Sequence, residues 1–268
     1  MLYFVSTPIG NLKDISLRAL ETLKEVDLIL CEDTRHSLKL LDFYEIKKPL
    51  KSYHKFNEKE RVEEIVNLLN EGKNIAVISD AGTPVISDPG NVLSTALRER
   101  GVDFTVIPGA TAFVPALILS GLDASNFTFV GFLPEKNKDR EEVIEKVREN
   151  LQTLIFYSAP HDVNKDLKFL GEKLGDRKVS AVKEITKIHE KTYVGTLKTL
   201  EIEEPKGEFV IVIEGAKKET SFSLSEKEHI DLYLSKGYSK KDAIKVVAKE
   251  RGVSKNSLYK YTIENEQD

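Results

Sequence analysis

The 268-residue chain holds one cysteine, one methionine and two glutamines. The lone Cys31 excludes an internal disulfide and fits a reducing compartment; at the end of an apolar run it reads as buried filler. One cysteine and five histidines without ligand spacing leave no candidate metal site. No apolar run approaches the roughly 18 residues that cross a bilayer. The amino terminus lacks a basic segment followed by an apolar stretch and a cleavage site. A cytoplasmic protein without membrane contact is the expectation. Absent too are a GxGxxG after the first strand and a GxxxxGK followed by Ser or Thr, which removes the dinucleotide fingerprint and the P-loop. The net charge of −4 argues against a nucleic-acid partner for the chain as a whole. Scarce glutamine, cysteine and methionine beside abundant lysine and glutamate resemble a heat-adapted composition.

Two segments carry most of what is present: Ser6-Thr7-Pro8-Ile9-Gly10-Asn11, and residues 79–90, which read Ser-Asp-Ala-Gly-Thr-Pro-Val-Ile-Ser-Asp-Pro-Gly. Each follows a short apolar run, residues 2–5 and 75–78, with the composition of a buried strand. Both then break into small and polar residues, which leave backbone groups open to a ligand at strand carboxyl ends, where open α/β sheets bind ligands. Twelve residues exceed what a surface turn needs, and long loops in compact domains carry function.

Strand-like and helix-like segments alternate. Residues 2–5, 28–31, 75–78 and 104–107 read as strands separated by amphipathic helices, one of them opened by an Asn57/Glu60 capping box. This rhythm implies a mainly parallel sheet covered on both faces. Pro108-Gly109-Ala110-Thr111-Ala112 breaks the last of these strands. Further strands are expected at 127–130, 153–157, 179–182, 188–194 and 209–213, giving a second, mixed sheet. Tyr3, Phe4, Phe127 and Phe129 read as core. Residues 217–223 form a polar linker, and three short helices close the chain. The fold class is therefore α/β: an amino-terminal α/β domain over 1–112, a second over 113–220, and a helix-turn-helix-like module over 221–268.

Asp80 and Asp88 can accept from hydroxyl or amino groups, and the peptide groups of Gly82, Thr83, Thr111 and Ala112 can bond an adenine edge. S-adenosylmethionine fits that description. Ordered motifs then run nearly end to end: Thr7-Pro8-Ile9-Gly10-Asn11-Leu12, Glu32-Asp33-Thr34-Arg35, residues 79–90, Pro108-Gly109, Ser120-Gly121-Leu122, Gly131-Phe132-Leu133-Pro134, Glu184-Ile185-Thr186-Lys187 and Lys206-Gly207-Glu208. In this set the chain resembles the tetrapyrrole methylase family, and within it the branch acting on small-subunit ribosomal RNA.

The resemblance implies a two-domain homodimer that binds S-adenosylmethionine between its domains. It also implies methylation of a cytidine ribose 2′-hydroxyl in the decoding region of small-subunit rRNA, free or in the assembled 30S particle. The donor contacts it implies fall on Pro8, Asp80, Ala81, Gly82, Thr83, Thr111, Ala112, Tyr157 and Glu208. One segment departs from the family pattern: Ser158-Ala159-Pro160-His161-Asp162 stands where an acid after the tyrosine and a later His-Arg are usual, and Asp162 receives no role.

A ribose hydroxyl is a poor nucleophile until its proton is leaving, so a base within reach would help. Candidates are Glu184, Lys187 and Glu190 in the Glu-Ile-Thr-Lys-Ile-His-Glu run, Glu184 and Lys187 favoured, with Asp33 in the Glu-Asp-Thr-Arg turn. On a strand Glu184 and Thr186 would share a face and Lys187 would oppose them, and Lys187 would need a depressed pKa. Arg35 suits phosphate, or a structural contact with Asp33. From Lys236 to Tyr261 eight basic residues stand against two acidic ones. Lys241, Lys245 and Lys249 make one helical stripe of like charge, which a bound polyanion would relieve. A small-molecule methylase and a nucleic-acid-binding regulator are the competing readings.

Overall fold

The structure, a computed structural model, describes residues 1–217 and 224–263. Strands β1 (Leu2–Val5), β2 (Leu28–Cys31), β3 (Leu50–Ser52), β4 (Ile75–Val77) and β5 (Phe104–Ile107) pair in parallel in the order β3-β2-β4-β1-β5. Parallel neighbours need crossovers, and helices α1 (Leu17–Glu25), α2 (Thr34–Phe43), α3 (Glu58–Asn70) and α4 (Asn91–Glu99) supply them. Side chains alternate across the pleat. Leu2, Phe4, Leu30 and Val77 pack under α3 and α4, while Val5, Ile29, Cys31 and Ala76 pack under α1 and α2. A sheet buried on both faces reads as the continuous apolar runs seen in the sequence.

The second sheet comprises β6 (Phe127–Phe132), β7 (Thr153–Ser158), β8 (Lys178–Lys183), β9 (Lys191–Thr196) and β10 (Phe209–Ile213), ordered β6-β7-β10-β8-β9. Only β6 and β7 run parallel, so the sheet is mixed, as expected. Helix α5 (Phe113–Ser120) covers one face over Ile155, Val182, Val210 and Val212. Helices α6 (Asn137–Val147) and α7 (Val163–Leu174) contribute Ile144, Leu167 and Leu170 to the core on the other.

The chain divides into two compact units, Met1–Ala216 and Lys217–Asp268. In the second, α8 (Glu226–Ser235), α9 (Lys240–Arg251) and α10 (Lys255–Ile263) enclose Ile230, Ile244, Val247 and Leu258. Ser225 forms a capping box with Glu228, and Ser239 accepts from the Asp242 N–H. Residues 218–223, most of the expected linker and the 220/221 boundary, lie outside the described residues.

Four local expectations change. The Asn57/Glu60 capping box is absent: Asn57 Oδ1 accepts from the His54 N–H instead, and its amide donates to the Ser52 carbonyl. The strand expected at 188–194 begins only at Lys191, because residues 184–190 form a turn. Phe127 lies exposed at the edge of its sheet rather than in the core. Helices α2 and α7 and strand β3 were not expected; β3 is a three-residue edge strand, half-buried throughout, too short for a period.

Candidate active site

The loops leaving β1, β4 and β5 are tied to one another by polar contacts. Thr7 and Gly82 exchange backbone hydrogen bonds of 2.8 and 3.1 Å, an isolated antiparallel bridge. Thr83 Oγ1 lies 2.9 Å from Ser6 Oγ and donates to the Ala110 carbonyl at 3.1 Å. At φ +82° and 3.3 Å from Ile9, position 82 suits glycine alone. Around these loops lies a cavity of about 470 Å³, inside the roughly 300–1,000 Å³ range of ligand sites.

One wall comes from the first sheet: Ile9, Glu32, residues 80–83 and 86–88, with Thr111 and Ala112. The other comes from the second sheet and includes Phe132, residues 157–160, Val182, Glu184, Ile185, Lys187 and residues 208–210. Backbone strain concentrates here. Among the described residues, five non-glycine residues have positive φ, and four of them, Val85, Ser87, Glu184 and Thr186, lie on or beside these walls. Such conformations cost of order 1–3 kcal/mol each and persist where the surroundings impose them.

The first wall is acidic. Burial raises the Asp88 carboxyl to about 7, with Glu32 and Asp80 pushing the same way. Glu32 is likewise raised by burial and by Asp80, with Glu58 adding to it and His54 opposing. Among the described residues no cation pairs with Glu32, Asp80 or Asp88. Behind the wall, buried Glu58 accepts from the Gly90 N–H and from the Tyr53 hydroxyl, at 3.2 Å for the latter. This fastens the end of the 79–90 loop to the start of α3. A Cβ on Gly90 would meet Val85 Cγ2 at 2.9 Å, so the turn closes only around glycine.

The second wall is ion-paired, two carboxylates sharing one amine. Lys187 Nζ donates to Glu184 at 2.8 Å and to Glu208 at 3.0 Å. Burial works to raise Glu184, but the Lys187 and Glu208 N–H bonds prevail and hold it below its ordinary value. Burial works to lower Lys187, and the two carboxylates prevail in raising it. The Lys187 stem lies over Gly10, and the Glu184 carboxyl over Gly207; a Cβ at either glycine would collide with it. Deeper, Arg140 pairs with Asp166 at 2.7 Å, and Asp166 accepts from Ser158 on the cavity wall at 2.6 Å. Tyr157 is pushed up to about 12, chiefly by burial, while the Phe113 and Ala112 N–H groups pull the other way.

Of the donor-binding candidates, Asp80, Ala81, Gly82, Thr83, Thr111, Ala112, Tyr157 and Glu208 line the cavity, together with Glu184 and Lys187. Pro8 does not; its neighbour Ile9 does. The Gly82 peptide cannot bond an adenine edge as expected, because Thr7 occupies both its N–H and its carbonyl. Asp33 is turned away: it caps α2 and binds Arg35, which lowers its carboxyl. Its own N–H lies 3.4 Å from Asp80 Oδ1. Arg35, 89% exposed, makes the Asp33 contact. Lys187 is not the depressed amine a basic role requires, since strand β8 ends at Lys183 and the turn at Glu184 folds Lys187 back onto it. Glu32 and the Ser158–Pro160 wall went unassigned. Glu32 is the neighbour of Asp33, and parity past the end of β2 decides which of the two faces the cavity. In the smaller unit Lys241, Lys245 and Lys249 are exposed on α9, and Lys245 and Lys249 border a groove completed by Ala248, Val253 and Lys255.

The model of the Tetrapyrrole (Corrin/Porphyrin) Methylases matches residues 1–201. The chain belongs to this family. It is 41% identical to the ribosomal RNA small subunit methyltransferase I of Bacillus subtilis, covering 97% of this chain and 92% of that protein. It is 42% identical to the protein of the same name from Synechocystis, over 100% and 99% of the two chains. A third, from Thermotoga maritima, is 43% identical and 98% covered, yet it takes up only 80% of this chain. Diphthine synthase shares the fold, with a TM-score of 0.64 at 18% identity, over 80% of this chain and 89% of that one. The methyltransferase CobJ gives 0.61 at 20%, over 80% and 94%. The chain is thus a methyltransferase of the α/β tetrapyrrole methylase fold, and S-adenosylmethionine is its methyl donor.

Proposed function

We propose that this methyltransferase acts on small-subunit rRNA, at the ribose 2′-hydroxyl of a cytidine in the decoding region. The supporting observation is the two-sided cavity: unneutralised carboxylates on one wall, an ion-paired rim on the other, and apolar side chains between. Asp80 and Glu32 suit the hydroxyl and amino groups of the donor, and Ile9, Ile86, Val210 and Tyr157 suit its apolar parts. When bound, S-adenosylmethionine supplies an electrophilic methyl group for in-line displacement, a reaction in which positioning provides much of the acceleration. Asp88, poised near neutrality, takes the hydroxyl proton. Glu184, Lys187 and Glu208 form the ion-paired acceptor end. Lys241, Lys245 and Lys249 contact rRNA phosphates through the 221–268 module, and Arg35 contributes beside the 1–112 domain. The exposed Val114 and Ile118 of α5 and Val194 of β9 provide an apolar face for a second copy of the chain. No helix among the described residues is long and apolar enough to cross a membrane, and the reading places the enzyme in the cytoplasm.

The test is transfer of labelled methyl to undermodified small subunits or free rRNA, followed by digestion to nucleosides. Label recovered as 2′-O-methylcytidine supports the reading; label in a tetrapyrrole, or none in RNA, overturns it. Removal of the residues from 225 onward should weaken RNA affinity and flatten its salt dependence while donor binding persists.

A further inference from the structure

We propose that the loop joining β3 to α3, with Phe56 at its tip, is a platform on which a single-stranded RNA segment stacks as it enters the cavity. The inference rests on the RNA-methyltransferase reading above and adds to it the surface that receives the strand. Sheet order fixes the loop's place. β3 pairs with β2, and Cys31 stands opposite Ser52, so the residues after each strand emerge side by side at the carboxyl edge. The Tyr53 N–H donates to the Cys31 carbonyl at 2.8 Å, and the next residue after Cys31 is the cavity-lining Glu32. Glu58 ties the other end of the loop to Gly90 of the cavity loop.

On this anchored support Phe56 is 92% exposed. A phenyl ring so placed gains little from burial, and among the described residues its one ring contact is with His54 at 6.1 Å between centroids. Lys55 precedes it in the loop and Lys59 follows in the first turn of α3, while the amino-terminal half of α2, which leaves the paired strand β2, carries Arg35, His36 and Lys39; all five are exposed. Among the described residues Lys39, Lys55 and Lys59 have no ion-pair partner. An exposed aromatic ring among cations is the combination that takes single-stranded nucleic acid, the ring stacking on a base and the cations following the phosphates. The same flank is a poor site for an apolar protein partner, which would have to bury these uncompensated charges.

The test uses the full chain with a fluorescein-labelled single-stranded RNA, the same sequence as a duplex, and small subunits as methyl acceptor. Phe56→Ala should weaken single-stranded RNA binding and raise the KM for subunits by about tenfold, within the range for loss of one base stack. Phe56→Trp should restore both. Lys55→Ala with Lys59→Ala should lower the slope of log affinity against log salt by about one to two. Donor affinity, measured by calorimetry, should stay at the wild-type value in every variant. Unchanged RNA affinity in Phe56→Ala, equal loss in Phe56→Trp, or equal weakening of duplex binding would each overturn the platform. Absence of methyl transfer by the wild-type chain would instead sink the function reading, and the binding arms would still decide the platform.

Discussion

The two walls of the cavity carry charge in opposite ways. On the first-sheet side Glu32, Asp80 and Asp88 face the space with no paired cation among the described residues, and burial raises the carboxyls of Glu32 and Asp88. On the second-sheet side the carboxylates are ion-paired: Glu184 and Glu208 share Lys187, and Arg140 holds Asp166. Unsatisfied acceptors are costly in a folded protein and useful for seizing a donor-rich ligand. Satisfied pairs recognise little but hold a shape. The proposed function thus assigns the proton chemistry to the parallel sheet and an ion-paired rim to the mixed sheet.

That division breaks if the walls respond alike to substitution. The largest effect should follow Asp88→Asn, which should lower kcat on RNA by at least about 100-fold, as expected for loss of a general base, with donor affinity nearly intact. Its pH signature has two opposed parts. A carboxyl raised in the folded state gives stability that is whole below its ordinary value of about 4 and lost as pH rises through about 7. Wild-type activity should climb over the window in which thermal stability falls, and Asp88→Asn should flatten both curves.

On the frame side, Arg140→Ala should cost about 3–5 kcal/mol of stability, because Asp166 is left buried and unpaired. Replacing Arg140 and Asp166 together by apolar residues should recover most of that loss in denaturant unfolding. Glu58→Ala should cost about 2–4 kcal/mol, since the Gly90 N–H and Tyr53 hydroxyl both lose a buried acceptor. It should also weaken donor binding, an effect absent from the Arg140 variants. Smallest of all, Asp33→Asn should leave thermal unfolding nearly unchanged, because its pairing with Arg35 is exposed and the amide still caps α2. A loss of activity as large as that of Asp88→Asn would move the proton chemistry to the α2 turn.

Much of this arrangement was legible in the sequence because small-residue loops after apolar runs report strand ends directly. Asp80, Thr83 and Thr111 reach the cavity for that reason, whereas Glu208, which precedes β10, came only from the family resemblance. What escaped was decided by single-residue geometry. Glu32 and Asp33 are adjacent, and composition cannot say which turns inward. Lys187 lost its expected role through the positive φ of Glu184 and Thr186, a conformation that ordinary residues rarely adopt and no pattern announces. Partners distant in sequence, such as Glu58 with Gly90 or Asp166 with Ser158, leave no local trace at all.

The contact of Lys187 with Gly10 carries a further consequence for engineering within the family. The lysine stem lies across a position of the first lobe that has no side chain while its amine stays with Glu184 and Glu208, so the two lobes mesh like a key in a slot. A hybrid joining the parallel sheet of one homologue to the mixed sheet of another will close correctly only if the slot stays empty. Even an alanine there would collide with the lysine stem and strain the pairs it makes with Glu184 and Glu208.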